Sequence, residues 1–120
     1  MVITFSVPEA RNQLMNKGIV YTFRWARRIH FSPLYENKGP KEFTWAAAQR
    51  NKPKIADVMI EELERIPIET DFLEPYADES GFPSAQDWLN KIYGMAQYPH
   101  QIKSHGYIYR VTRELRMEKV

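Results

Sequence analysis

Basic and aromatic residues alternate between positions 21 and 54 of this 120-residue chain. Arginine and lysine side chains neutralise phosphates, and exposed aromatic rings stack on nucleobases, so the combination indicates a surface for single-stranded or looped RNA. Scattered lysines alternatively form an ordinary solvated face. The candidate ligand contacts of this kind are Arg24, Arg27, Arg28, Lys38, Lys41, Trp45, Arg50, Lys52 and Lys54.

A strand of about residues 19–27 is predicted to position the first of these side chains, because the segment after Gly18 is rich in β-branched and aromatic residues. Successive side chains of a strand point to opposite faces. We predict that the polar face of this strand forms the site, whereas the aromatic rings of the other face are either core residues or stacking platforms. The polar face carries Thr22, Arg24, Ala26 and Arg28, and the other carries Tyr21, Phe23, Trp25 and Arg27.

Charge is distributed in blocks that the net charge of +2 conceals. Residues 17–54 hold nine basic and two acidic side chains, whereas residues 55–87 hold ten acidic side chains and Arg65. Such blocks indicate a polyanion-binding face beside an acidic one, and the acidic segment 55–87 could bind a basic protein partner. Alternatively, the two blocks neutralise each other across the fold.

Several classes of site are excluded by the sequence. The absence of cysteine excludes disulfides, thiolate metal sites and cysteine nucleophiles. The three histidines lack ligand-like spacing, and no dinucleotide, P-loop, zinc-protease or serine-hydrolase motif occurs, so we expect neither metal nor cofactor. The N-terminal residues do not resemble a signal sequence, and no apolar run approaches the ~20 residues needed to cross a bilayer. We therefore expect a single cytoplasmic domain over residues 1–120, with no membrane association.

Two helices are predicted from their end signals. Ser6 to Glu9 has capping-box spacing and predicts a helix over about residues 7–17, which Gly18 ends. The segment from Ser84 to Asp87 is a second cap signal and predicts a helix over about residues 84–94. The inward stripe of the second helix would be Trp88, Leu89, Ile92 and Tyr93.

The strand segments differ in how clearly their sequence pattern indicates a strand. Residues 106–119 alternate clearly as a strand, and residues 42–45 fit a short strand followed by one helical turn at residues 46–49. The segment 54–68 fits either a helix or a strand, and its many helix formers favour the helix locally. An acidic connection follows at 67–83. Helices mixed with separated strands indicate an α+β fold with an antiparallel sheet.

Three segments of the chain resemble motifs of the ASCH domain, a small β-barrel-like fold of the PUA-like superfamily. Gly18 to Arg24 stands where that family has a G-x-K-x-x-E-x-R signature, and Ala77 to Ser84 resembles its A-x-x-E-G-F-like turn before a helix. Gly106 to Val111 matches its closing strand. The resemblance implies a small PUA-like β-barrel of mostly antiparallel strands, in which residues 54–66 are a strand.

The resemblance also implies a function. ASCH domains are thought to bind RNA or its components in a cleft, some relatives are small amidohydrolases acting on acetylated cytidine, and another is reported as a ribonuclease. The amidohydrolases use a lysine, a threonine and a glutamate. Thr22 stands at the threonine position and Arg24 at the signature arginine, but Ile19 replaces the lysine, Lys17 lies two positions earlier, and Glu79 is one residue from the glutamate position. We therefore expect RNA or nucleotide binding, with hydrolysis as the alternative.

Overall fold

The computed structural model describes residues 3–25, 41–95 and 103–113, with only the backbone described at Lys41 and Glu42. Predicted strand residues 26–27 and 114–119 lie outside these ranges. The elements in chain order are β1 Ile3–Thr4, α1 Pro8–Lys17, β2 Ile19–Arg24, β3 Lys41–Ala47, β4 Lys54–Pro67, α2 Thr70–Leu73, a 3₁₀ helix Glu74–Glu79, α3 Ala85–Gly94 and β5 His105–Arg113.

The five strands form one curled half-barrel sheet in the order β1-β3-β4-β5-β2. β1 pairs with β3 in parallel, whereas the other three strand pairs described are antiparallel. With α1 and α3 packed against the sheet, the predicted α+β class is confirmed. The order makes β1 and β2 the two edges of the half-barrel. The candidate site lies at the gap between these edges.

The ambiguous segment is strand β4, so the strand interpretation is confirmed over the helical one. β4 pairs with β3 on one side and with β5 on the other, and these two ladders outweigh the helix propensity of its residues. The helical turn predicted at residues 46–49 is wrong at Ala46 and Ala47. Both alanines are buried in β3, because they pair with β1 on one side and β4 on the other.

Helix α1 confirms its predicted range but not its predicted cap. Val7 is the N-cap and no side chain caps the helix, so the capping box predicted at Ser6 is wrong. Gly18 ends the helix with φ 81°, and its N–H donates to the Leu14 carbonyl over 2.9 Å, as predicted. Arg113 of β5 donates to the Met15 carbonyl over 2.9 Å, which ties the end of α1 to the sheet.

Helix α3 begins where its cap signal predicts. The Ser84 hydroxyl accepts from the Asp87 N–H over 3.1 Å and donates to the Asp87 carboxylate over 3.0 Å. Trp88 and Ile92 are buried and Leu89 is half-buried, but Tyr93 is 40% exposed and so lies at the edge of the predicted stripe.

We expect Ser84→Ala to lower the free energy of unfolding by about 1 kcal/mol, because it removes the acceptor for the Asp87 N–H at the start of α3. Ser6→Ala is the matched control: Ser6 is exposed and does not cap α1, so its loss should change stability by less than about 0.5 kcal/mol. Urea unfolding of both variants provides the comparison. Equal losses would contradict the cap assignment.

Two hydrophobic clusters pack on the opposite faces of the sheet. The α1 cluster joins Leu14 of α1 to buried residues of β1, β2, β4 and β5. The α3 cluster joins Trp88 and Ile92 to buried residues of β4, β5 and the acidic connection. Within that connection Leu73 is buried, whereas Pro75 is exposed.

None of the helices in the described ranges has both the length and the apolar character needed to span a bilayer.

Candidate ligand cleft

A cavity of about 290 Å³ opens at the gap between the two edges of the half-barrel. Its walls are the β1–α1 junction, the C-terminal part of β2, the turn at residues 80–82 and the inner side of α3. This volume lies at the small end of the ~300–1,000 Å³ found for small-molecule sites. The cleft therefore suits one compact ligand.

Thr22 lies in the wall of the cleft that β2 forms. Its side chain is buried, with 8% of the residue exposed, and it pairs in register with Tyr109 of β5. A threonine hydroxyl in the wall of a cleft can accept a hydrogen bond from a ligand or donate one to it. The predicted placement of Thr22 on the same face of β2 as Arg24 is consistent with the cleft.

Arg24 joins the two edges of the half-barrel as well as lining the cleft. Its Nη2 donates to the Thr4 carbonyl of β1 over 2.8 Å, and its guanidinium carbon lies 5.5 Å from the centre of the Phe5 ring. A guanidinium held in this way keeps its positive charge, because arginine does not deprotonate in proteins. Arg24 thus supplies a fixed cation to the cleft and also bridges the edges β1 and β2.

Aromatic rings form much of the remaining wall. Phe23 and Trp25 meet edge to face, with centroids 5.1 Å apart and planes at 88°. Trp25 also contacts Tyr93 of α3, with centroids 6.2 Å apart. Trp88 of α3 is 3% exposed and lines the cleft from the opposite side. Phe23 and Trp25 pack on the α3 cluster, as the core interpretation predicted, and they also line the cavity.

The turn of Ser80, Gly81 and Phe82 closes the cleft beside α1. The Ser80 hydroxyl donates to the Ala77 carbonyl over 2.7 Å and accepts from the Phe82 N–H over 3.1 Å, so it is engaged in holding the turn. Gly81 has φ +94° and its backbone packs against the first turn of α1 at Glu9. The turn therefore covers the helix end that no side chain caps.

Lys91 is a charged lining residue that sequence reasoning missed. It is exposed on α3, three residues after Trp88 and one before Ile92, and it lines the cleft opposite β2. Its position beside the buried stripe of a predicted helix was a usable signal. The sequence did not show that α3 packs across the end of β2.

The other candidate residues lie elsewhere or outside the described ranges. Neither Lys17, at the end of α1, nor Glu79, at the end of the 3₁₀ helix, is among the lining residues. Trp45 is 44% exposed on β3, beside Phe43, which is 67% exposed. Arg50 and Lys52, in the β3–β4 turn, and Lys54, on β4, are not among the lining residues. Only the backbone of Lys41 is described, and Arg27, Arg28 and Lys38 lie outside the described residues.

Part of the acidic segment is engaged within the fold. Glu61 binds Arg110 over 2.7 Å and Asp57 binds Lys54 over 3.2 Å, so some opposite charges do neutralise each other locally. Tyr76 donates to Glu64 and its ring packs 5.2 Å from Tyr21, which lines the cleft.

The Tyr76 phenol stays protonated at neutral pH. Burial raises its pKa to about 12, and the hydrogen bond to Glu64 adds to the effect.

The cleft combines a hydroxyl, a fixed guanidinium, an ammonium and several aromatic rings. Aromatic walls bind flat rings, and cations bind an anionic substituent of the same ligand. No cluster of three or more histidine, aspartate or glutamate side chains suited to a metal ion occurs among the described residues.

Comparisons with protein-family models, with curated proteins and with solved structures found no match for this chain.

Proposed function

We propose that this chain is a PUA-like module of the ASCH type that binds RNA or a nucleotide in the cleft. The observation that carries the proposal is that Thr22 and Arg24 line one cavity together with aromatic rings. A base can stack on the rings and bond to the threonine hydroxyl, while a guanidinium can stack on the base or hold a phosphate. The curled five-stranded sheet is compatible with a small barrel of that kind.

Thr22→Val tests the assignment with little change in shape. Valine replaces the hydroxyl by a methyl group, so we expect the dissociation constant for a nucleotide to rise about two- to tenfold, the value of one lost hydrogen bond. Titration calorimetry with the four nucleoside 5′-monophosphates and with a short single-stranded RNA measures the change.

Thr112→Val is the matched control for this experiment. Thr112 is half-buried on β5, pairs with Ile19 and does not line the cleft. We expect its substitution to leave nucleotide binding unchanged. If both variants weaken nucleotide binding equally, or if neither weakens it, Thr22 is not a ligand contact.

A second candidate function is hydrolysis, favoured by the observation that Lys91 lines the same cleft as Thr22. A lysine beside a threonine can act as base or electrostatic partner in acyl transfer. However, catalytic lysines are activated by desolvation, and Lys91 is exposed. Incubation of the protein with N-acetylcytidine and with RNA decides between the two candidates: turnover that Thr22→Val abolishes would establish hydrolysis, and binding without turnover supports the module.

A further inference from the structure

The cleft continues into a second, more open groove of about 530 Å³ along α3. Phe82, Lys91 and Met95 line both cavities, so these three residues mark the junction between them. A ligand that fills the cleft and extends outward along α3 must therefore pass Lys91.

The charges change sign beyond this junction. The groove is lined by Glu9, in the first turn of α1, and by Asp87, in the first turn of α3. Lys91 is the only cation among its described lining residues. One phosphate at the junction would meet an ammonium group, whereas a second phosphate farther along would meet two carboxylates. Like charges brought close together repel each other.

We infer that the cleft selects a nucleotide with a single phosphate at Lys91 and disfavours a continuation of the phosphate chain along α3. This inference rests on the proposed function and specifies its ligand. The shared chemistry is one nucleoside unit with one phosphate group. It occurs both in a free nucleoside monophosphate and at the phosphorylated end of an RNA strand, so Lys91 is a specificity-determining residue for that phosphate.

The experiment compares the nucleoside, the 5′-monophosphate and the 5′-diphosphate of one base by titration calorimetry at fixed salt. We expect the monophosphate to bind about two- to fivefold more tightly than the nucleoside, as one exposed ion pair allows. The diphosphate should bind no more tightly than the monophosphate. A ten-nucleotide RNA, with and without a terminal 5′-phosphate, distinguishes a strand end from a free nucleotide.

Three variants test the residues. Lys91→Gln should remove the advantage of the monophosphate over the nucleoside, whereas Lys103→Gln, an exposed lysine that lines neither cavity, should preserve it. The double variant Glu9→Gln/Asp87→Asn should make the diphosphate bind more tightly than the monophosphate. Asparagine at position 87 retains an oxygen that can accept from Ser84, so the α3 cap is kept.

The outcomes separate this inference from the proposed function. If the wild-type protein binds none of these compounds, the proposed function fails and the inference with it. The other case is that nucleotides bind and Thr22→Val weakens their binding, but the wild-type protein prefers the diphosphate and Glu9→Gln/Asp87→Asn does not change that preference. The inference then fails and the proposed function stands.

Discussion

Gly81→Ala is expected to lower the free energy of unfolding by about 2–5 kcal/mol, the sum of a strained backbone and an overpacked contact. Gly81 has φ +94°, a conformation that alanine rarely adopts. A Cβ atom added there would also overlap the Glu9 carbonyl, lying 2.7 Å from its carbon and 3.2 Å from the Ala10 nitrogen. Because these atoms belong to the backbone of α1, the helix or the turn must move.

Gly94→Ala is the control for Gly81→Ala. Gly94 is the last residue of α3, and a Cβ atom added there meets nothing within 4 Å. Alanine should be neutral there or stabilise the helix by up to about 1 kcal/mol. Thermal and urea unfolding measure both variants. A Gly81→Ala protein as stable as the wild type would show that the turn does not pack against α1 in this way.

Gly106→Ala is expected to destabilise the protein by about 1–3 kcal/mol and to weaken ligand binding at the same time. Gly106 is buried at the start of β5, where the Phe23 ring lies directly over its Cα. An added Cβ atom would overlap that ring and would lie 3.0 Å from the Arg24 carbonyl. Phe23 would have to rotate away, which would break its edge-to-face contact with Trp25 and distort the cleft wall.

Phe23→Leu provides the matching second substitution. A shorter side chain at position 23 leaves room for the alanine Cβ, so the double variant should lose less stability than the sum of the two single variants. We expect a coupling of about 1 kcal/mol or more in a double-mutant cycle, as for residues in direct contact. Additive losses would place the Phe23 ring away from Gly106.

Local signals in the sequence were sufficient for the two long helices. Ser84 and the Trp88/Ile92 stripe determine α3 by short-range chemistry, and Gly18 ends α1 for the same reason. At the start of α1 the signal at Ser6 was misleading, because the turn at Gly81 covers that helix end instead of a side chain. A contact between residues 9 and 81 has no counterpart in the local sequence.

Strand β4 shows where local propensity fails. Its residues favour a helix, yet ladders to β3 and β5 fix it as a strand. The ladder between β4 and β5 shifts register between Glu62 and Glu64, as at a β-bulge.

The candidate site shows the same difference between local and long-range signals. Thr22 and Arg24 were predictable because they lie two residues apart on one strand, whereas Lys91 joins them only through the packing of α3.

The tryptophan indole N–H resonances test most directly whether the ligand occupies the cleft. Of the three tryptophans in the chain, Trp25 and Trp88 line the cleft, whereas Trp45 lies on β3 away from it. Titration of ¹⁵N-labelled protein with a nucleoside 5′-monophosphate should shift the Trp25 and Trp88 signals in a saturable manner and leave Trp45 unchanged. A shift confined to Trp45 would place the nucleotide on the exposed face of β3 and contradict the proposed site, and three unmoved signals would contradict nucleotide binding in the cleft.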